Sequence, residues 1–175
     1  GVSTIFGCCL SSERKAILPI VERRNALLWY PSLYEGFEYS PNVIYTGASP
    51  NQNSFPLAEY LVRNHGRRML MAGSDYIYPR ESNRIMRDLV ESYGGKIVDE
   101  VYVPMAASEP CLREIVARAR DLAPDVVFST IVGRSAQTFY RLYGEAGIDP
   151  ASMPIASLTM AEGEVREIGA TLCEG

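Results

Sequence analysis

The sequence has a single histidine, His65, among 175 residues. Its four cysteines, Cys8, Cys9, Cys111 and Cys173, form no CxxC pair. Cys8 and Cys9 are adjacent, which suits neither a disulfide nor a zinc site. They read as free thiols of a reducing compartment. No metal or cofactor is called for by any motif. No apolar run approaches the length of a membrane span. Lysine and arginine are scattered through a chain of net charge −4, so no basic stripe argues for nucleic acid. There is no P-loop: Gly94-Gly95 follows a helical pattern, where it caps. There is no short-period repeat and no low-complexity tract. The first residues show no start methionine and no signal-peptide pattern. Gly1-Val2-Ser3-Thr4-Ile5-Phe6 opens as a strand, so the sequence reads as part of a longer protein.

What is present is ordinary for a globular chain: 47% hydrophobic and 22% charged residues. The length suits one domain or two small ones. Val2 to Phe6 reads as a strand. Ser11 or Ser12 offers an N-cap and Glu13 a first-turn acid for a helix to about Arg24, with Pro19 inside it. Ala26 to Tyr30 is a second buried strand, and Val43 to Thr46 an extended segment. These strands are apolar enough to imply cover on both faces. Gly47-Ala48-Ser49-Pro50-Asn51 is a hinge. A helix follows over 54–64. Then the pattern alternates: strands at 67–72, 96–103, 125–130 and 154–157, helices at 80–93, 109–121, 135–145 and 161–169. Strands separated by helices of this length imply an α/β fold with Rossmann-like parallel sheets and right-handed crossovers.

The stretch Gly73-Ser74-Asp75-Tyr76-Ile77-Tyr78-Pro79-Arg80-Glu81-Ser82-Asn83 organises the rest. It follows a buried strand and precedes a helix, so it lies at a carboxyl end, where ligands sit in open α/β sheets. Tyr76 and Tyr78 present two aromatic hydroxyls on one loop, suited to a small polar ligand in a partly dry pocket. Ordinary packing tyrosines would explain the same residues.

Three further segments carry a resemblance. Gly7-Cys8-Cys9-Leu10-Ser11, Tyr30 through Asn42 and Pro50-Asn51-Gln52-Asn53 are similar to the amide and urea receptors of the type I periplasmic-binding-protein superfamily. The Gly73–Asn83 stretch and Pro154-Ile155-Ala156-Ser157-Leu158-Thr159 look closest to the amide sensor that negatively regulates the aliphatic amidase operon. The resemblance runs through all 175 residues. It implies two Rossmann-like lobes joined by crossing strands, with a ligand in the cleft. Residues 1–49 would be the end of the first lobe, lacking its first strand–helix units. Residues 50–175 would be most of the second, stopping near the second crossing strand. The pocket residues it implies are Cys9, Ser11, Tyr30 and Ser32 from the first lobe and Tyr76 and Tyr78 from the second. The amide sensor has a tyrosine at Cys9 and Thr-Pro at Ser32-Leu33. Cys9 removes a wall and a hydroxyl and enlarges the site.

Three functions follow as alternatives. One is a non-enzymatic cytoplasmic sensor of a small aliphatic amide or urea, whose partner by resemblance is an RNA-binding antitermination regulator; the sensor itself touches neither nucleic acid nor membrane, and a homodimer is compatible. The second is the periplasmic solute-binding component of an ABC transporter for urea, short amides or branched-chain amino acids. The third is an amidase with Cys8 or Cys9 as nucleophile. It lacks a base, because His65 reads as a surface residue closing a helix.

Overall fold

The computed structural model describes residues 1–173. Two parallel sheets form, one three-stranded and one four-stranded. The three-stranded sheet has the order β1 (Thr4–Phe6), β2 (Leu27–Tyr30), β3 (Val43–Tyr45), with helix α1 (Ser11–Arg23) joining its first two strands. The segment 46–53 then leads into α2 (Ser54–Asn64) and the larger unit. There β4 (Arg68–Ser74) pairs with both β5 (Lys96–Val103) and β6 (Val126–Thr130), and β7 (Ile155–Ser157) flanks β6. Its helices are α3 (Ile77–Ser92), α4 (Glu109–Leu122), α5 (Arg134–Glu145) and α6 (Glu162–Ile168), followed by a 3-10 turn at Ala170–Leu172. No helix of the described residues is long and apolar enough to cross a membrane.

The period-two alternation of a strand explains how the larger sheet is covered. On β4, Met69 and Met71 point to one side, where Ala58 and Leu61 of α2 and Met86 and Val90 of α3 bury them. Leu70 and Ala72 point to the other, against Leu112 and Ile115 of α4 and Phe139 of α5. β6 divides likewise, with Val126 and Phe128 on the first side and Val127 on the second. Both faces are dry, so β4 and β6 read as continuous apolar runs.

The smaller sheet differs from expectation in two ways. It holds three strands rather than two, because Val43–Tyr45 pairs in register with Leu28–Tyr30. Among the described residues only one face is packed: Leu28, Tyr30 and Val43 meet Val21 of α1. The other face carries Trp29 stacked on an exposed Phe6, ring centres 5.6 Å apart. Apolar sequence in a short strand indicates that burial is tolerated on both faces; it does not supply the second cover.

Two local expectations are also corrected. Neither Ser11 nor Ser12 caps α1; Leu10 holds the cap position and Ser11 is the first helical residue. The chain reverses at Cys8 (φ 65°). Glu13 then reaches back, its Oε2 accepting from the amides of Cys9 at 2.9 Å and Leu10 at 3.0 Å. The amide at the cap position and the one before it are thus paired with a carboxylate, and the Ser11 hydroxyl is released for tertiary use. Second, α3 starts at Ile77 rather than 80, with Tyr76 in extended conformation before it. Pro79 falls in the first turn, where its missing N–H has no partner to lose. Tyr78 is therefore a helical residue, and the loop ends at Tyr76.

Candidate functional site

One cleft of about 570 Å³ is lined by residues from five chain segments, each at or just beyond the carboxyl end of a strand. Cys9, Leu10 and Ser11 follow β1; Tyr30, Pro31, Ser32 and Leu33 end β2; Tyr76 and Tyr78 follow β4. Val132 follows β6, and Thr159, Ala161 and Glu164 follow β7. In parallel α/β sheets this edge faces ligands, and the volume falls in the roughly 300–1,000 Å³ range of small-molecule pockets. All six residues named from the sequence, Cys9, Ser11, Tyr30, Ser32, Tyr76 and Tyr78, line this one space.

Their states differ. Tyr76 is half-buried, as the loop reading expects. Tyr78 is not: only 6% of its surface is exposed, because the first turn of α3 carries its ring inward. Its hydroxyl is buried without a hydrogen-bond partner among the described residues. The Ser82 hydroxyl is near enough to pull the Tyr78 pKa down, against the effect of burial, but does not reach hydrogen-bond geometry. Burial, first, and then the negative field of Glu35 push the Tyr78 phenol up to about 12. Burial likewise pushes Tyr76 to about 12. Both are neutral hydroxyls at any physiological pH. Tyr30 is fully buried and donates to the Cys9 carbonyl at 3.0 Å, tying the two strand ends together.

Behind the Ser11 side lies a buried ion cluster that sequence reasoning missed. Arg14 is completely inaccessible. Its Nη2 donates to Glu35 at 2.6 Å and its Nε to Glu38 at 2.7 Å. Ser11 donates to Glu35 at 2.9 Å, and Tyr45 to Glu38 at 2.9 Å. The guanidinium also lies 4.7 Å from the centre of the Tyr30 ring. Burial alone would lower the Arg14 pKa, but the bonds to Glu35 and Glu38 outweigh it and keep the group charged. The cluster pins the 31–38 loop to α1. The signal was a charge on the inward face of α1, where Ser11, Arg14 and Val21 are the buried positions. Val132, Thr159 and Glu164 were also missed. They belong to later strand ends, and only the order of the sheet brings those to the cleft.

Cys8 is not set up as a nucleophile. Cys8 is held above the ordinary thiol range, by burial first and then by Glu13, the opposite of an activated nucleophile. His65 closes α2, exposed and edge-on to Tyr60 at 5.4 Å, and is not among the residues of the cleft. No group of three His, Cys, Asp or Glu side chains able to hold a metal occurs among the described residues.

Against known proteins, residues 1–175 match the family described as periplasmic binding protein domain. A leucine-binding protein from Thermotoga maritima superposes with a TM-score of 0.85 at 18% identity, covering 99% of this chain and 49% of that one. A solute-binding protein of an ABC transporter from R. palustris, solved in complex with 4-hydroxybenzoate, gives 0.80 at 22% identity over 97% of this chain and 47% of that one. An ABC transporter substrate-binding protein from Sphaerobacter thermophilus gives 0.69 at 26% identity over 96% and 48%. The chain thus spans about half the length of these structures.

Proposed function

The chain belongs to the periplasmic binding protein domain family, and from that membership we propose that it forms the ligand-holding part of a receptor that traps a small uncharged polar molecule without turning it over. Residues 1–49 and 50–175 are the portions of its two lobes, and the cleft at their strand ends is the binding site. Cys9, Ser11, Tyr30, Ser32, Tyr76 and Tyr78 are its contact residues. One observation carries this reading: the Tyr78 hydroxyl, buried and unpaired, on the wall of a cleft. A buried polar group without a partner costs about 1–3 kcal/mol, and a bound ligand atom would recover it.

The role favoured is the solute-binding component of an ABC transporter, acting in the periplasm with a membrane permease as partner. It is supported by the family and by the descriptions of the matched structures. The cytoplasmic reading, which came with the resemblance to the amide sensor and with the free thiols, takes second place. A second role, the amide sensor with an RNA-binding regulator as partner, is favoured by the sequence 73–83 and by the neutral hydroxyls of Tyr30, Tyr76 and Tyr78. Titration calorimetry on the full-length protein with acetamide, butyramide, urea, leucine and 4-hydroxybenzoate tests the reading. Saturable binding of a neutral ligand, weakened by Tyr78→Ala, supports it, and binding of leucine or 4-hydroxybenzoate alone would overturn its uncharged-ligand part. Steady ammonia release from an amide would overturn it.

A further inference from the structure

We infer that a second cavity, beside the hinge, is a separate binding site for a small aromatic amine, and that its occupancy tightens the cleft. The site stands apart from the receptor reading above; its coupling to the cleft rests on that reading. The cavity holds about 520 Å³, within the range of small-molecule pockets. Phe37 of the smaller unit forms one wall and Pro50 of the connecting segment the next. Phe55 of α2 and Ile85 and Leu89 of α3 supply further apolar surface. None of these five residues lines the cleft.

Two phenylalanines stay in water to shape this space. Phe55 is 46% exposed and Phe37 is 74% exposed. Phe37 also holds φ at 62°, a left-handed conformation unusual for a bulky residue. The strain is imposed from the next residue. Glu38 is tied to Arg14 at 2.7 Å, and its amide donates to the Tyr34 hydroxyl at 2.9 Å. Strain held in this way collects at ligand clamps. Two ring faces call for a flat apolar body. The charges of the wall choose its polar end. Arg84 donates to Glu81 at 3.0 Å, and Glu35 is engaged by Arg14 and Ser11. Asp88 is left with capacity to accept, since Arg84 stands 3.7 Å from it, beyond hydrogen-bond length. A ligand ammonium therefore meets a spare carboxylate. A ligand carboxylate would meet only Arg84, the one cation of this wall among the described residues and already engaged.

The cavity and the cleft are walled by the same two elements. On α3, Tyr78 lines the cleft and Ile85, two turns later on the same face of the helix, lines the cavity. On the loop after β2, Ser32 and Leu33 line the cleft, and Glu35 and Phe37 line the cavity. Glu35 also accepts from Ser11, a cleft residue, at 2.9 Å. A molecule seated between Phe37 and Phe55 touches both units and holds that loop against α3. It favours the arrangement in which Ser32 and Tyr78 line one cleft. By linkage, a cleft ligand raises the affinity of the cavity in turn.

Calorimetry on the full-length protein with benzylamine, and with benzyl alcohol as its neutral counterpart, tests this in the wild type, Phe55→Ala and Asp88→Asn. Thermal melts establish that each variant is folded. The wild type is expected to bind benzylamine saturably and about twofold to fivefold more tightly than benzyl alcohol. Asp88→Asn erases that preference, and Phe55→Ala weakens both probes by about threefold or more. With the cleft saturated by whichever of the five cleft ligands named above the protein binds, benzylamine binds at least about twofold more tightly. Absence of benzylamine binding, equal binding by the wild type and both folded variants, or displacement of benzylamine by the cleft ligand overturns the site. An unchanged benzylamine affinity with the cleft filled overturns the coupling. If none of the five cleft ligands binds while the variants still weaken benzylamine, the receptor reading falls and the second site stands.

Discussion

Removing the Tyr78 hydroxyl separates two effects that usually travel together. Tyr78→Phe deletes a buried donor that has no partner within the protein, so the ligand-free protein should melt at the same temperature or higher. Under the proposed function the same change weakens ligand binding by about 1–3 kcal/mol. Thermal melts with and without ligand read both numbers; a destabilised ligand-free variant with unchanged affinity would assign Tyr78 to packing. The phenols also set a pH limit. Their folded values of about 12, for Tyr76 and Tyr78 alike, lie above the unfolded value of about 10. Their contribution to stability is therefore full below pH 10 and is lost as pH rises through about 12. Denaturant midpoints should fall across that window, and fall less in Tyr78→Phe. Arg14 behaves oppositely to Tyr78. Arg14→Met leaves Glu35 without its buried counter-charge and Glu38 with only Lys15, a loss of about 3–5 kcal/mol measurable by urea unfolding. Arg14→Lys should recover little of it, because a single ammonium cannot serve two carboxylates from two sides of a planar fork.

Elements, not only side chains, are held in contact distance. Gly47 lies where the chain leaves β3 for the larger unit. A Cβ there would stand 1.9 Å from the Ser32 carbonyl oxygen and 2.8 Å from the Leu33 nitrogen. Both neighbours are backbone, so neither can swing aside. The same approach is seen in the Tyr34 amide donating to the Ala48 carbonyl at 3.2 Å. Gly47→Ala must displace either the hinge or the loop that carries Ser32. We expect roughly 1–3 kcal/mol of destabilisation by thermal or urea unfolding, together with weaker ligand binding by calorimetry. Wild-type stability in the alanine variant would mean that the two segments are free to part.

At the scale of the whole molecule, a cation–ring contact joins the smaller unit to α3 outside the cleft. Phe37, held at φ 62° and 74% exposed, lies under the Arg84 guanidinium at 4.7 Å. A cation over a solvent-exposed ring is worth about 0.5–1 kcal/mol. If the two units close on a ligand, this contact favours the closed arrangement. Phe37→Ala should then weaken ligand binding about twofold to fivefold while leaving the thermal melt of the ligand-free protein nearly unchanged. Small-angle scattering of the ligand-bound variant should show a larger radius than that of the wild type.

How much of this was legible in the amino-acid order depends on the range of the forces involved. Helix and strand positions follow from periodicity and from turn residues, both local. Hence α2 and β5 fall at the residues expected, 54–64 and 96–103, and the alternation of elements implies parallel sheets. Tyr76 and Tyr78 could be named because a strand end followed by a loop is recognisable locally, whereas Cys9, Ser11, Tyr30 and Ser32 were named only through the resemblance to the receptor family. The capping of α1 was not legible, since Ser11 is a good cap by type and only the nearby Glu13 and the distant Glu35 decide that it does something else. Nor was Val43–Tyr45 as a strand, for pairing needs a partner fifteen residues away. The burial of Arg14 depends on carboxylates more than twenty positions along the chain. Tyr78 sits one turn deeper than a loop would place it, because a proline that reads as a breaker is harmless in a first turn. Glu164 reaches the cleft only because β7 lies beside β6 in the sheet. Local order dictates which elements form; which charges are dry, which hydroxyls stay unpaired and which acid lines the cleft are decided by the tertiary structure, because desolvation is a property of what surrounds a group in space.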